Sequence, residues 1–531
     1  MSLKAYILAL APELIVLFGA CLVLLLGRRD LRRQPPAAPL AAFVTLSVAL
    51  GVAFLTGVPE EPRLVPGLWL GGLTFYIRLI GLAVGAVLVL VNWHQAVEDE
   101  RGEYLSMILF SLLGVLLTAS ADDLLVLLFA LELVSVPTYV LIALSRSSHR
   151  AGEAAVKYFF LGALATALLA YGLSFLYGVM GTTALHRVTD AGVVSTLGGG
   201  SALETYALIG LLLVFAGVAF KMAAVPFHVY APDVYEGAAA PVTGLLGFAP
   251  KAAGFVALLR LFDACAWDLP QHLFWLLWIV AAATMTVGNV VALLQTNVKR
   301  MLAYSSIAHT GYILIALLVG PATGEGPLRD GVAAVLFYLP VYGLMNLGAF
   351  ALIGAFRIDE REPETLDELA GLARRAPAES LTLGVFVFSL MGFPPTAGML
   401  AKVFVFGSAF SAGSAHPHRL ALIVLAVIGV ANAAIAAAYY LRIVTAVYMK
   451  NEGCRCLPAQ GGPIRLGLLA CALPLLLVFV WPGALTHEAR RASAHVHPPT
   501  LRLAAPALTD PPPTPVAITA RTVATSTAGQ P

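Results

Sequence analysis

Glu132, Lys221, Lys251 and Lys402 each stand deep inside a long apolar run, where a charge is costly to keep. One Lys or Asp at the centre of a membrane helix costs about 2.5–3.5 kcal/mol even on the lenient insertion scale. A chain that holds four such residues holds them against a cumulative penalty, and the chemistry they fit is proton transfer. Desolvation lowers the pKa of a buried lysine, and a carboxylate within about 4–6 Å raises it again. A Lys–Glu pair whose spacing changes therefore loads and releases a proton.

Depth separates these residues from ordinary surface charges. At about 1.5 Å rise per residue, Glu132 lies roughly 13 Å past Asp123, and Lys251 falls near the middle of the run that starts at Pro241. Lys221 sits in FAGVAFKMAAVPFH, with His228 at its end, and Lys402 in SLMGFPPTAGMLAKVFVF. A lysine near a helix end reaches water by stretching along the surface; mid-span depth removes that option. Lys157, four residues after Glu153, keeps it and is open to either reading. So is His309, about 12 Å into its run, because a neutral imidazole hydrogen-bonded inside a bundle is cheap.

Prolines accompany the four charges. Pro137 follows Glu132 by five residues, Pro226 follows Lys221 by five, Pro250 directly precedes Lys251, and Pro394-Pro395 precede Lys402. A proline removes a helix hydrogen bond, and broken membrane helices survive only where the freed backbone groups are buried in protein or face a wet cavity. Ion sites are built at such breaks. The expectation is a helix break beside each charge.

The elements that position these residues are spanning helices. The 531 residues are 59% hydrophobic and 12% charged, with mean hydropathy +0.87. The expected fold is an all-α polytopic membrane protein with about fourteen transmembrane helices. Their approximate extents are 5–26, 40–57, 74–92, 104–119, 123–144, 154–179, 206–228, 241–262, 273–295, 301–319, 331–356, 380–410, 419–449 and 464–482. The first run reads as a retained helix, since its basic cluster follows it rather than preceding it. Lys and Arg near helix ends stay on the cytoplasmic side. Arg28, Arg29, Arg32, Arg33, Arg146, Arg150, Lys299, Arg300, Arg357, Arg361, Arg374, Arg375, Lys450 and Arg455 all fall there if both termini lie outside. One helix more or fewer would strand some of them.

Residues 1–485 read as one membrane domain and 486–531, rich in Pro, Ala and Thr, as a disordered extracytoplasmic tail. Thr365 and Glu368 have capping-box spacing, and Leu366, Leu369 and Leu372 recur every three residues, which predicts a short surface helix. A net charge of +2, with basic residues scattered through loops, excludes nucleic acid as a partner. Cys454 and Cys456 cannot complete a metal site by themselves, and His487, His495 and His497 read as unligated tail residues. No metal site is expected. The Gly198–Gly200 triplet reads as a flexible turn.

Four longer stretches carry a family resemblance: FKMAAVPFHVYAPDVYEGAAAPVTGLLGFAPKAAG (220–254), NVKRMLAYSSIAHTGYILIAL (297–317), LDELAGLARRAP (366–377) and LMGFPPTAGMLAKVFVF (390–406). On these the chain resembles the antiporter-like membrane subunits of proton-pumping NADH:quinone oxidoreductase, respiratory complex I. Lysine at 402 and a polar C-terminus fit the N type. The resemblance implies two inverted five-helix repeats, about 104–262 and about 273–449, each with one broken helix, the seventh and twelfth spans. Weak similarity between 153–172 and 331–350, with Leu336 near the place of Lys157, agrees. It also implies that Glu132 and Lys221 modulate a proton-uptake half-channel, that Lys251 connects to the centre, and that Lys402 serves the exit.

The cofactor expectation is none in this chain, since no flavin, nucleotide or cluster motif is present; FMN, iron–sulfur clusters and quinone belong to the assembled complex. The implied partners are other membrane-arm subunits and the lipid bilayer of the bacterial cytoplasmic membrane. Two other readings remain. A subunit of a multi-subunit cation/proton antiporter shares the repeat and its charges. A polytopic lipid-linked glycosyltransferase needs outward acidic residues, for which Asp122-Asp123 is the one tight pair.

Overall fold

A run of twenty apolar residues in lipid can satisfy its backbone polar groups only along a helix, and helices dominate this chain. The computed structural model describes residues 3–27, 37–93, 100–146, 148–187, 202–265, 267, 269–321, 327–358, 361–413, 416–450, 457–458 and 461–496. The first helices are α1 (Leu3–Ala9), α2 (Ala11–Gly27), α3 (Ala37–Thr56), α4 (Gly72–Val91), α5 (Arg101–Ser120), α6 (Leu124–Leu144) and α7 (His149–Met180). Next come α8 (Ala202–Met222), α9 (Ala231–Gly237), α10 (Ala240–Ala264), α11 (Gln271–Leu293), α12 (Val298–Val319) and α13 (Gly331–Gly354). The last are α14 (Leu372–Arg375), α15 (Pro377–Met391), α16 (Ala397–Phe410), α17 (Arg419–Met449), α18 (Gly462–Val480) and α19 (Gly483–Val496). Two short antiparallel strands pair Phe356 with Pro458 and Arg357 with Leu457.

Among the described residues, 12 helices are long and apolar enough to cross a membrane. With the 17-residue apolar α2, and with α15 and α16 taken as one interrupted span, each of the fourteen expected spans has its helix. The chain is a multi-pass, all-α membrane protein. Side chains fix several helix starts: Asp123 accepts from Leu125 N (2.8 Å) at α6, Ser148 from Ala151 N at α7, Asn297 from Arg300 N at α12, and Asp330 from Ala333 N at α13. Each satisfies an N–H that the helix itself leaves unpaired.

Burial places the centre. The apolar window of α10 is 100% buried and those of α12 and α13 are 94% buried, against 33% for α7, α17 and α18. A helix apolar on all sides and buried on all sides is core; the perimeter helices turn Phe160, Tyr171 and Val427 outward. The three central helices carry Lys251, His309, Tyr312, Tyr338 and Tyr342.

A buried ion pair ties the first helices together. Arg78 donates to both carboxylate oxygens of Glu13, at 2.7 and 2.9 Å, and also to Ala9 O. Breaking such a pair from one side leaves an uncompensated charge and costs about 3–5 kcal/mol. Glu13→Ala is therefore expected to lower the thermal aggregation midpoint and the amount of protein recovered from membranes; an unchanged midpoint would show that the pair contributes little.

Three expectations are corrected. Helix breaks form beside Lys221 and Lys402 but not beside Glu132 or Lys251, because Pro137 and Pro250 lie within uninterrupted helices. A mid-helix proline costs about 3 kcal/mol, and dense packing around α10 holds the helix through it. Where breaks form, a further device ends the helix: Ala223 at φ 56° after α8, and Gly392 at φ 81° after α15.

The predicted surface helix at 365–375 is mostly turns ending in the four-residue α14. The capping-box bonds do form, Glu368 accepting from Thr365 N (3.1 Å) and Glu364 N (2.7 Å). Leu369 and Leu372 are buried, so the segment packs inward rather than lying on the membrane. The expected tail is ordered at its start, since α19 runs on to Val496, buries Ala489 and Ala492, and donates from Ser493 Oγ to Asp330 (2.9 Å). A small-residue face explains the docking of a segment whose composition reads as disordered. Cys454, Cys456, Gly198–Gly200, His497 and residues 498–531 lie outside the described residues, as does the side chain of His495.

Candidate proton-translocation site

Lys221 stands on the last turn of α8, one residue from the break. Its Nζ donates to Glu132 Oε1 at 2.9 Å, to Ser135 Oγ at 2.6 Å and to Thr166 Oγ1 at 3.4 Å. Thr166 in turn donates to the same Glu132 oxygen at 2.6 Å. Glu132 and Ser135 are three residues apart on α6, which puts them on one face. The lysine is buried, while the Glu132 side chain keeps 25% of its surface. The pair is thus closed on the protein side and open on the other.

The break supplies the next link. Helices leave their last carbonyls without intrahelical partners, and here side chains fill them: Tyr230 OH donates to Phe220 O (2.9 Å) and Thr310 Oγ1 to Met222 O (2.8 Å). Thr310 Oγ1 also accepts from Lys251 Nζ at 2.9 Å. Thr310 thus joins Lys251 to the open end of α8, one residue past Lys221. Lys251 donates further to Ser306 O, and its ammonium lies 5.6 Å from the centre of the Tyr342 ring.

Ser306, His309 and Thr310 form an i, i+3, i+4 stripe on α12, and the row crosses that helix along it. Tyr342 OH donates to Ser306 Oγ at 2.7 Å. His309 bonds Tyr338 OH through Nδ1 (2.7 Å) and Tyr440 OH through Nε2 (3.2 Å), and Tyr440 meets Ser305. His309 also lies beside the Leu390 carbonyl, within electrostatic reach of both Lys251 and Lys402.

Lys402 closes the row at the second break. It projects from α16 back onto the open end of α15 and donates to Leu390 O (3.1 Å) and Met391 O (2.7 Å). A cation at a helix C-terminus is favoured by the helix dipole, and these carbonyls have no other helical partner. The ammonium also sits 5.2 Å from the Tyr312 ring centre. Gly392 makes the approach possible: it is left-handed, and a Cβ there would come within 2.7 Å of Lys402 Cδ.

The structure therefore brings Glu132, Lys221, Lys251, His309 and Lys402 into one polar row through the bundle. Lys157 stands apart. It is 45% exposed and pairs with Glu153 (2.8 Å) and Asp233 (3.2 Å), in a surface network that continues from Asp233 to Arg300 (2.8 Å). Partial burial alone would raise the Asp233 carboxyl, but hydrogen bonds from Arg300 and Lys157 together hold it below its usual range. His228 lies half-buried in the turn between α8 and α9, and no hydrogen bond among the described residues joins it to the row.

Sequence reasoning missed Thr166, Thr310, Tyr338, Tyr342 and Tyr440. The Ser306–His309–Thr310 stripe was readable, because three polar residues share one face of an apolar helix. Nothing local marks Tyr440, which reaches the row from a helix more than a hundred residues away.

A multi-pass helical bundle with paired breaks and a buried Lys–Glu row defines an antiporter-like membrane subunit, and the comparisons agree. The family model described as NADH:quinone oxidoreductase/Mrp antiporter, TM, matches residues 121–431. NADH-quinone oxidoreductase subunit N of Trichlorobacter lovleyi is 41% identical over 431 residues, covering 79% of this chain and 82% of the relative. The subunit N of Rhodospirillum rubrum is 37% identical over 504 residues, covering 93% and 98%.

A chain of respiratory complex I from Thermus thermophilus with bound aureothin superposes with TM-score 0.73 at 31% identity, over 90% of this chain and 99% of that one. A chain of the Mrp complex from Dietzia shares the fold, with TM-score 0.77 at 21% identity over 94% and 99%. The chain belongs to the NADH:quinone oxidoreductase/Mrp antiporter family.

Proposed function

We infer that this chain is an N-type membrane subunit of a proton-pumping NADH:quinone oxidoreductase, moving protons along its buried row while partner chains carry electrons from NADH to quinone. The observation that carries the reading is the row of polar groups from Glu132 to Lys402, gathered inside the bundle at two helix breaks. The 41% identical relative, itself a subunit N, supports this assignment over an Mrp-type antiporter. FMN, iron–sulfur clusters and quinone reside in the rest of the complex, and the neighbours of this chain are other membrane-arm subunits.

Each residue of the row has a task set by its contacts. Lys221 holds a proton while Glu132 stays within hydrogen-bonding range, and retraction of the carboxylate weakens that hold. Each 1.4 kcal/mol of changed interaction alters proton occupancy about tenfold, so a small displacement suffices. Thr310 and the Met222 carbonyl pass the change to Lys251; the Tyr338–His309–Tyr440 group connects Lys251 to Lys402; Lys402 delivers the proton to the exit. The row spans both inverted repeats, about 104–262 and about 273–449, with one break in each. Both termini lie outside the bacterial cytoplasmic membrane, leaving the Lys299, Arg300, Arg357 and Arg361 end of the bundle in the cytoplasm.

The test is to purify the chain in mild detergent and identify the chains that accompany it. NADH oxidation by that assembly supports the reading; sodium-dependent transport by an assembly lacking NADH oxidation overturns it in favour of the antiporter. The second break offers a finer check. In Gly392→Ala the new Cβ strains a left-handed residue by roughly 1–2 kcal/mol and pushes Lys402 off its carbonyls. NADH-driven pumping is expected to fall several-fold with the subunit still assembled; undiminished pumping would show that the placement of Lys402 is not critical.

A further inference from the structure

Lys251 stands in the middle of α10, and the start of that helix is held by a knot of charges outside the row. Its carbonyl at Ala238 accepts from Lys299 Nζ (2.8 Å), Ala239 N donates to Ser145 Oγ (3.2 Å), and Ala240 N donates to both carboxylate oxygens of Glu362 (3.2 and 3.3 Å). Glu362 also pairs with Lys299 (3.4 Å) and with Arg146. It is 4% exposed and Lys299 is fully buried. Thus three consecutive backbone positions leading into α10, Ala238 to Ala240, are pinned by three separate segments.

Those segments are the ones that bear the row. Ser145 and Arg146 follow α6, which carries Glu132; Lys299 opens α12, which carries His309 and Thr310; Glu362 lies on the link that leaves α13, which carries Tyr338 and Tyr342. A cavity of about 470 Å³ borders the knot and is lined by Arg146, Ser145 and Glu362 among others. The acidic group is the one that matters most. Two cations, the buried Lys299 and the partly exposed Arg146, converge on one carboxylate, and an anion at a helix N-terminus is favoured by the dipole.

We propose that Glu362 is a positioning residue for Lys251: its carboxylate holds the N-terminus of α10 in register with the ends of α6, α12 and α13. Lys251 lies eleven residues beyond Ala240, about 16 Å along the helix. α10 is buried throughout, and a close-packed interior transmits displacement rather than absorbing it. Loss of the charge leaves Arg146 and Lys299 facing each other, and the helix start moves with them. The inference rests on the proton-translocating reading and adds to it a residue remote from the row.

The experiment uses the intact complex in proteoliposomes and compares Glu362→Gln, Glu362→Asp and the double variant Glu362→Gln/Lys299→Met. Glu362→Gln keeps an acceptor for Ala240 N but lacks the charge. It is expected to assemble and yet to lose about tenfold in NADH-driven proton pumping, in line with the sensitivity of such steps to displacements near 1 Å. Glu362→Asp, which keeps the charge, and the double variant, which restores the charge balance of the knot, are expected to regain most of it.

Wild-type pumping by Glu362→Gln overturns the proposal. So does a loss of assembly in Glu362→Gln that neither the Asp nor the double variant relieves, since the role would then be structural only. Lys221→Ala serves as the control: if it too pumps normally, the proton-translocating reading fails as a whole, whereas its failure beside a normal Glu362→Gln sinks only this inference.

Discussion

Lys221→Ala is expected to abolish NADH oxidation coupled to proton pumping, with turnover at least about tenfold below wild type, equivalent to roughly 1.4 kcal/mol or more. The ammonium makes three hydrogen bonds that no other group replaces, to Glu132, Ser135 and Thr166. Without it, Glu132 keeps one neutral donor, Thr166, and no proton carrier stands between the uptake side and the break after α8. Lys221→Arg gives the contrast. It keeps a charge but presents a planar fork in a site shaped for a compact ammonium, and a guanidinium does not release its proton; assembly should survive and pumping should not. NADH-driven acidification in membrane vesicles, normalised to the amount of assembled complex, reads both outcomes.

The second large effect is at the far end of the row. Lys402→Met removes the group that satisfies Leu390 O and Met391 O, leaving two open carbonyls at a helix end and no proton carrier between His309 and the exit. Each unsatisfied buried polar group costs about 1–3 kcal/mol, so part of the loss will appear as lower stability and the rest as lost turnover, again at least about tenfold. Lys402→Glu separates the two. An ionised carboxylate only accepts hydrogen bonds and faces carbonyls that also only accept, so this variant is expected to be no better than Met at neutral pH. Robust pumping by Lys402→Glu would mean that the carbonyl contacts are incidental and that any ionisable group at that depth is enough.

The placement of helices was legible because spans are long and apolar, and because basic loops alternate along the chain. The four central charges were legible for the same reason: a lysine in FAGVAFKMAAVPFH has nowhere to hide. Proline was the weaker guide. It marked both real breaks but also Pro137 and Pro250, since a helix ends near a proline only where a residue just before it turns away, as Ala223 and Gly392 do at positive φ. The cost of that turn is set by neighbours that sequence does not reveal.

What sequence hid was partnership across distance. Tyr338, Tyr342 and Tyr440 look like apolar-helix aromatics until the fold brings their hydroxyls to His309 and Ser306. Glu362 sits in a loop of mixed charge, and only packing shows it buried at the head of α10. The segment after Thr486 read as a polar tail, yet its alanines at 489 and 492 let it lie against the bundle. In each case the deciding term is a tertiary contact rather than a local preference.

The central claim is that protons cross through Lys251, where the two halves of the row meet. The most direct test is the number of protons moved per electron by the complex carrying Lys251→Met, measured in sealed proteoliposomes with NADH as donor. The account predicts that the protons belonging to this subunit disappear, either as a lower proton-to-electron ratio or as a collapse of coupled turnover. A wild-type ratio at wild-type turnover would contradict it.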